Sequence, residues 1–111
     1  MGSKPLAPDT LRAIADRLKL LGEPARLAVL NALREGPLNV SELTEATGLN
    51  QANLSKHLQL LHAGGFVTRR REGLFVIYTV ADASVFTLCD LMCGQLERQA
   101  TAQVKRLRLV R

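Results

Sequence analysis

Apolar residues recur along the first third of the chain at the three- and four-residue intervals of amphipathic helices. The first stripe comprises Leu11, Ile14, Leu18 and Leu21. Asp9 can cap the helix that carries this stripe, which we expect to end at Leu21. Pro24 stands at a favoured first position of a second helix, which runs to about Arg34 before Gly36-Pro37 interrupts it. The pattern predicts two scaffold helices, and neither carries a group suited to catalysis.

Two shorter helices are predicted next, between Asn39 and Ala63. Asn39 can cap the first of them, and Glu42, three residues on, can close a capping box. Its inward-facing residues should be Leu43 and Ala46. Gly48 can end this helix in the left-handed conformation, and Asn50 can cap the next after a turn of about three residues. The second helix has one apolar stripe, formed by Leu54, Leu58 and Leu61. This order of elements is typical of a helix-turn-helix.

The opposite face of the second helix is polar. It carries Gln51, Asn53, Ser55, Lys56 and Gln59. These side chains can donate to or accept from base edges and phosphates, with Gln and Asn suited to adenine and Lys to guanine or phosphate. Because this face is uncharged apart from one lysine, the pattern favours the reading of bases in DNA.

A hairpin is predicted after Gly64 and Gly65, which stop the second helix. Residues 66–71 form a β-branched and cationic strand, Glu72-Gly73 the turn, and residues 74–80 the returning strand. The first strand carries Arg69, Arg70 and Arg71, which can lie along a phosphate backbone or enter a minor groove. The alternative interpretation is an ordinary solvated strand edge, kept from aggregating by its charge. Together the elements predict an α+β, mostly helical winged helix-turn-helix, with about five helices and a two-stranded wing.

Four fragments carry a family likeness. They are Leu21-Gly22-Glu23-Pro24-Ala25-Arg26-Leu27, Leu54-Ser55-Lys56-His57-Leu58, Ala63-Gly64-Gly65-Phe66-Val67 and Arg70-Arg71-Glu72-Gly73. In this order and spacing the chain resembles the bacterial ArsR/SmtB family of winged-helix repressors, over roughly residues 9–97. The resemblance implies a homodimer that binds a palindromic operator and releases it when a metal, metalloid or oxidant changes a cysteine or histidine site. It also implies that His57 lies at the DNA face.

Composition and charge agree with a small DNA-binding domain. The chain has 111 residues, of which 47% are hydrophobic, and a net charge of +5, so we expect one small core. Residues 49–81 carry four basic and one acidic group, whereas residues 1–48 carry six of each. The positive surplus therefore lies on the reading helix, the wing and the tail. The chain has no apolar run of membrane-spanning length and no signal-like N-terminus, so we expect a cytoplasmic location.

A long final helix is predicted after Asp82, which can cap it. Its apolar stripe comprises Val85, Phe86, Leu88, Cys89, Met92, Cys93 and Leu96. This stripe exceeds what a small core needs. In the family that the chain resembles, the final helix pairs with the first helix to build the dimer interface, and a surplus stripe would serve that purpose.

The chain has two cysteines, Cys89 and Cys93, which lie four residues apart on this helix. Their side chains then share one face, with Cβ atoms about 6 Å apart. Two thiolates at that separation can bind one soft ion, such as As(III) or Sb(III), with a third ligand from a partner subunit, solvent or a small thiol. Two alternatives stay open: both cysteines pack as small hydrophobic residues, or they respond to oxidation or persulfidation.

Departures from the family's pattern restrict the range of possible inducers. The best-known arsenic and cadmium repressors of the family carry a cysteine pair before the reading helix, and residues 38–43 contain none. The final helix has no histidine, which argues against zinc sensing, and the early cysteine of the persulfide sensors is missing. His57 and His62 lie five apart and point away from each other, so they do not form a metal site. No nucleophilic triad, phosphate-binding glycine loop or paired carboxylate indicates an enzyme or an organic cofactor.

We therefore predict a flexible N-terminus (residues 1–8), a winged helix domain for DNA binding and dimerisation (residues 9–97) and a basic C-terminal helix end or tail (residues 98–111). The expected function is a repressor that binds palindromic double-stranded operator DNA as a homodimer. We expect release when As(III), Sb(III) or another thiophilic metal ion binds Cys89 and Cys93. A redox- or persulfide-responsive repressor is one alternative, and a ligand-independent architectural DNA-binding protein is another.

Overall fold

A computed structural model describes the backbone of residues 4–110 and the side chains of residues 4–104. Within that range the chain forms five helices and three strands. They are α1 (Pro8–Leu21), α2 (Pro24–Ala32), β1 (Leu38–Asn39), α3 (Val40–Thr47), α4 (Gln51–Ala63), β2 (Val67–Glu72), β3 (Phe75–Val80) and α5 (Ser84–Val110). The chain divides into two compact units between Ala81 and Asp82, so that α5 forms the second unit by itself. No helix in the described range is long and apolar enough to cross a membrane.

The core of the first unit lies where α2 packs against both α3 and α4. Its most completely buried side chains are Val29, Leu30, Leu43, Leu54, Leu58, Leu61 and Val67. The three leucines of α4 are therefore buried, as the apolar stripe predicted. Burial of each of them stabilises the fold by about 1.5–3 kcal/mol, which fixes the rotation of α4 about its axis.

The first two helices differ slightly from the prediction. The expected cap at Asp9 is wrong: α1 begins at Pro8, and Ala7 occupies the N-cap without a side-chain hydrogen bond. Proline is favoured in a first turn because its φ is already helical, and Asp9 instead lies within that turn, where its charge complements the helix dipole. Pro24 begins α2 as predicted, and that helix ends at Ala32.

The capping box predicted at the start of α3 is confirmed. The Asn39 side chain accepts a hydrogen bond from the Glu42 backbone N–H at 2.8 Å, and Glu42 accepts one from the Asn39 N–H at 2.9 Å. Gly48 ends α3 with a φ of 73°, a conformation that side chains disfavour. Asn50 then caps α4 by accepting a hydrogen bond from the Asn53 N–H at 2.8 Å. The turn between α3 and α4 is therefore determined locally by Gly48 and Asn50.

One interior residue of α3 was predicted wrongly. Leu43 is fully buried as expected, but Ala46 is exposed. The half-buried residues Val40, Thr44 and Thr47 show that the inward side of this helix lies to the other side of Leu43. Ala46 falls outside that arc, because successive residues turn by about 100° around a helix.

We expect Asn39→Ala to destabilise the protein by about 1 kcal/mol, because it removes one half of the capping box. For a domain of this size the melting temperature should fall by about 5 °C. The matched control is Ser41→Ala, an exposed position in the first turn of the same helix. Thermal unfolding followed by circular dichroism makes the comparison, and equal melting temperatures for the two variants would contradict the role given to this cap.

The sheet has one more strand than the two-stranded wing predicted. Its order is β1-β3-β2, with both pairs antiparallel. The added strand contains two residues, Leu38 and Asn39, which pair with Tyr78 and Ile77. Such a short strand shows no alternation and cannot be recognised from the sequence pattern. Its pairing leaves β2 as an outer strand, and the hairpin of β2 and β3 forms the wing.

The predicted terminal regions lie partly outside the described residues. Residues 4–7 precede α1 and are exposed, while residues 1–3 of the expected flexible N-terminus are outside the range. Asp82 lies just before α5, and its side chain accepts a hydrogen bond from the Ser84 N–H at 2.9 Å. The helix continues to Val110, so the basic segment predicted at residues 98–111 is helical through residue 110.

Candidate nucleic-acid interface and thiol pair

The outer face of α4 presents every side chain that the sequence predicted for base reading. Gln51, Asn53, Ser55, Lys56 and Gln59 are all exposed. Lys56 lies almost opposite the mean direction of the three buried leucines, because residues turn by about 100° each. Asn53 and Gln59 flank Lys56, whereas Gln51 and Ser55 lie nearer the edges of the face. The centre of this surface is therefore one lysine between an amide on each side.

His57 lies at the border between this face and the core. It is half-buried, and its Nδ1 lies 3.3 Å from Nη1 of Arg26, whose Nε donates to the Leu20 carbonyl oxygen at 2.5 Å. Because a guanidinium can only donate, Nδ1 of His57 must be the acceptor. The tautomer that accepts at Nδ1 carries its proton on Nε2, which can donate to another group. The contact with Arg26 joins residues 31 positions apart, which the sequence pattern did not indicate.

The three arginines of β2 are not equivalent. All are exposed, but strand alternation places Arg69 and Arg71 on one face of the hairpin and Arg70 on the other. Arg70 Nε donates to Glu72 Oε2 at 2.6 Å. The carboxylate of Glu72 is thus held by Arg70, which leaves Arg69 and Arg71 as the pair of cations on the opposite face.

Sequence reasoning also missed a contact that holds the end of α4. Arg17 of α1 donates from Nη1 to the Gly64 carbonyl oxygen at 3.0 Å, and its guanidinium lies 4.2 Å from the centre of the Phe66 ring. A Cβ at Gly64 would lie 2.5 Å from Cδ1 of Leu20, so this glycine permits a close approach of the two helices. The junction between the reading helix and the wing is therefore attached to α1.

The two cysteines lie on one uninterrupted helix, α5. Cys89 is half-buried and Cys93 is exposed, and neither forms a disulfide. Cys93 Sγ donates to Oε1 of Glu97 at 3.4 Å, a carboxylate that the sequence interpretation did not include. Among the described side chains no group of three or more His, Cys, Asp or Glu residues could hold a metal ion. A single chain therefore supplies two thiols and an adjacent carboxylate on one helix.

The reading helix and wing have counterparts in known proteins. Residues 23–69 match the model described as "Bacterial regulatory protein, arsR family". Over 88 residues the chain is 38% identical to the HTH-type transcriptional regulator NmtR of Mycobacterium tuberculosis, and this alignment covers 79% of the chain and 73% of NmtR. The chain belongs to the ArsR family. It is a winged helix-turn-helix regulator and not an enzyme.

Two further relatives are a repressor and a protein of known homodimeric structure. The chain is 35% identical over 91 residues to the biofilm growth-associated repressor of Xylella fastidiosa, which covers 78% of the chain and 79% of that repressor. The homodimeric winged helix-turn-helix DNA-binding domain of Mb0332 from Mycobacterium bovis superposes with a TM-score of 0.70. That domain is 32% identical, and the match covers 87% of the chain and 91% of the domain.

Proposed function

We propose that this ArsR-family protein is a cytoplasmic, sequence-specific DNA-binding repressor, released from its operator when a thiophilic metalloid or metal binds Cys89 and Cys93. As(III) and Sb(III) are the favoured inducers. The DNA-binding half is supported by one observation: α4 exposes its polar face while three leucines are buried on the other side. The similarity to the repressor of Xylella fastidiosa supports repression of transcription over activation.

The proposed contacts divide between bases and phosphates. A major groove about 12 Å wide admits α4, where Asn53 and Gln59 can pair with adenine and Lys56 with guanine or phosphate. Gln51, Ser55 and the Nε2–H of His57 lie around this centre and complete the proposed surface. Arg69 and Arg71 then contact phosphates or the minor groove and fix the register of the protein on the duplex.

A palindromic operator requires a homodimer, and two helices carry apolar surface for one. On α1 the exposed stripe comprises Leu11, Ile14 and Leu18, and on α5 the exposed apolar residues include Leu88, Leu91, Met92 and Leu96. Apolar stripes on the surface of a single chain are typical of an interface between subunits. The homodimeric Mb0332 domain supports this assembly. We therefore propose that both terminal helices meet a second subunit.

The proposed inducer site depends on the preference of soft metal and metalloid ions for sulfur ligands. Two thiolates one helical turn apart can bind As(III), Sb(III), lead, cadmium or mercury, all of which favour sulfur ligands. The third ligand of a trigonal ion would come from the partner subunit, solvent or a small thiol. Binding at a helix of the dimer interface would change the separation of the two reading helices, which must match about one turn of DNA. Because neither cysteine forms a disulfide, oxidation or persulfidation of the same pair is the second candidate signal.

In vitro selection from a random duplex pool tests the DNA-binding proposal. We expect a palindromic consensus with half-sites about one helical turn apart. Fluorescence anisotropy should then show binding to that consensus about a thousandfold tighter than to unrelated DNA. An architectural protein would instead select no consensus and would bind all duplexes with a similarly steep dependence on salt.

A further inference from the structure

The tip of the wing exposes an apolar side chain. Leu74 is 92% exposed, the largest exposed fraction among the large apolar side chains of the described residues, and its neighbour Phe75 is 56% exposed. Glu72 pairs with Phe75, so only Gly73 and Leu74 form the turn. With a φ of 61° at Gly73 and no positive φ at Leu74, the turn has the glycine-first form of a two-residue hairpin. Leu74 therefore stands at the far end of the hairpin.

Charge around the tip favours a polyanionic partner. The β2 strand carries three arginines and one acid, and that acid, Glu72, is held by Arg70. Arg69 and Arg71 remain exposed on the opposite face of the same hairpin. Small or polar residues are common at such turn positions, so the turn itself does not require a leucine. An apolar tip on a cationic ribbon matches the way minor-groove proteins combine basic side chains with a wedge of Leu, Ile or Phe.

We propose that Leu74 is an apolar wedge that enters the minor groove of operator DNA beside the half-site bound by α4. There it partly unstacks one base step, and it favours pyrimidine–purine steps because these open most easily. The proposal rests on the proposed function, since it requires the protein to bind DNA through α4 and the wing. It adds a source of sequence preference outside the bases that α4 reads.

The test repeats the selection from random duplexes with four variants of the 111-residue chain, three of them at Leu74. Leu74→Lys replaces the wedge with a cation that can bind phosphate, Leu74→Ser removes the wedge without adding charge, and Leu74→Met retains an apolar side chain. Leu6→Ser removes another exposed leucine, 54% exposed and outside the wing, as the matched control. We expect wild type, Leu74→Met and Leu6→Ser to enrich pyrimidine–purine steps at a fixed distance from each half-site. Leu74→Lys and Leu74→Ser should recover the same half-sites without that enrichment.

A direct readout places 2-aminopurine at the enriched step of the selected duplex. Wild type and Leu74→Met should raise its fluorescence on binding, because unstacking relieves quenching, and Leu74→Lys should not. Leu74→Ser should weaken binding to this duplex about tenfold, because the gain from burying a leucine is partly offset by the cost of unstacking. Circular dichroism of each variant checks that the wing remains folded.

Any other result contradicts the proposed role of Leu74 and indicates which alternative holds. In one such result wild type selects half-sites without enriched flanking steps, and in another the enrichment persists in Leu74→Lys. Either result shows that Leu74 does not recognise the base steps beside the half-site. Loss of self-association by Leu74→Ser in sedimentation, with DNA preference unchanged, assigns the tip to a contact between subunits. If wild type selects no consensus, the proposed function itself is contradicted. Failure of the wedge alone differs from this result because the half-sites are still selected.

Discussion

The double charge reversal Arg69→Glu/Arg71→Glu is expected to weaken binding to the selected duplex by at least about a thousandfold. Both side chains lie on one face of β2 and are exposed, so we expect each to make a charge-assisted hydrogen bond to phosphate. Two such bonds are together worth about 3–6 kcal/mol, and repulsion between glutamate and phosphate adds to their loss. Anisotropy measured at several salt concentrations should also show a slope of log affinity against log salt reduced by about two for each subunit, and so by about four for the proposed dimer.

Two comparisons test whether the loss of affinity depends on Arg69 and Arg71 and not on net charge alone. Lys4→Glu/Arg34→Glu changes the net charge equally but on exposed residues outside α1, α4, α5 and the wing, and we expect only a small change in affinity. Arg70→Gln should cost less than Arg71→Gln, because Arg70 is engaged by Glu72 on the other face of the hairpin. Unchanged affinity in the double variant would show that the wing does not contact DNA and would favour a winged helix used for protein contacts.

The second large effect is expected from Cys89→Ser/Cys93→Ser. This variant should bind the selected duplex as wild type does, but arsenite should no longer release it. Serine preserves shape, whereas its hydroxyl is a hard ligand that stays protonated at neutral pH, so a soft ion loses both of its protein ligands. For wild type a coupling of 1–3 kcal/mol corresponds to roughly a 5- to 150-fold loss of DNA affinity when arsenite is bound.

Single variants and a matched control separate chelation from packing. Cys89→Ser and Cys93→Ser should each abolish most of the response, because one thiolate alone cannot chelate the ion. Met92→Leu changes the exposed thioether between them and should retain full release by arsenite. Loss of DNA binding by the double serine variant, before any arsenite is added, would instead show that the cysteines are needed for packing.

Local signals in the sequence were sufficient to predict the helix-turn-helix. The capping box at Asn39, the left-handed Gly48 and the cap at Asn50 each depend on residues within four positions. The leucine stripe of α4 was equally readable, because a helix of 13 residues repeats its period more than three times. These features determine which side chains α4 exposes, so most of the candidate DNA surface was predictable.

Contacts between distant residues were not predictable in this way. The bond of Arg26 to His57 and that of Arg17 to Gly64 join residues 31 and 47 positions apart, and no periodic pattern records such pairs. The division of the three β2 arginines depends on the pairing of Arg70 with Glu72, which the sequence interpretation treated as a plain run of cations. The hydrogen bond of Cys93 to Glu97 was missed because that acid lies outside the cysteine pair itself.

The central claim is that a thiophilic ligand at the α5 cysteines releases the protein from its operator. Fluorescence anisotropy of the reduced protein on the selected duplex, with arsenite, antimonite, cadmium, lead and a polysulfide or oxidant added in separate titrations, tests it most directly. We predict release by arsenite or antimonite at concentrations that leave the double serine variant bound. Release by the polysulfide or oxidant alone would assign the pair to redox sensing, and a complex that survives every addition would contradict the claim.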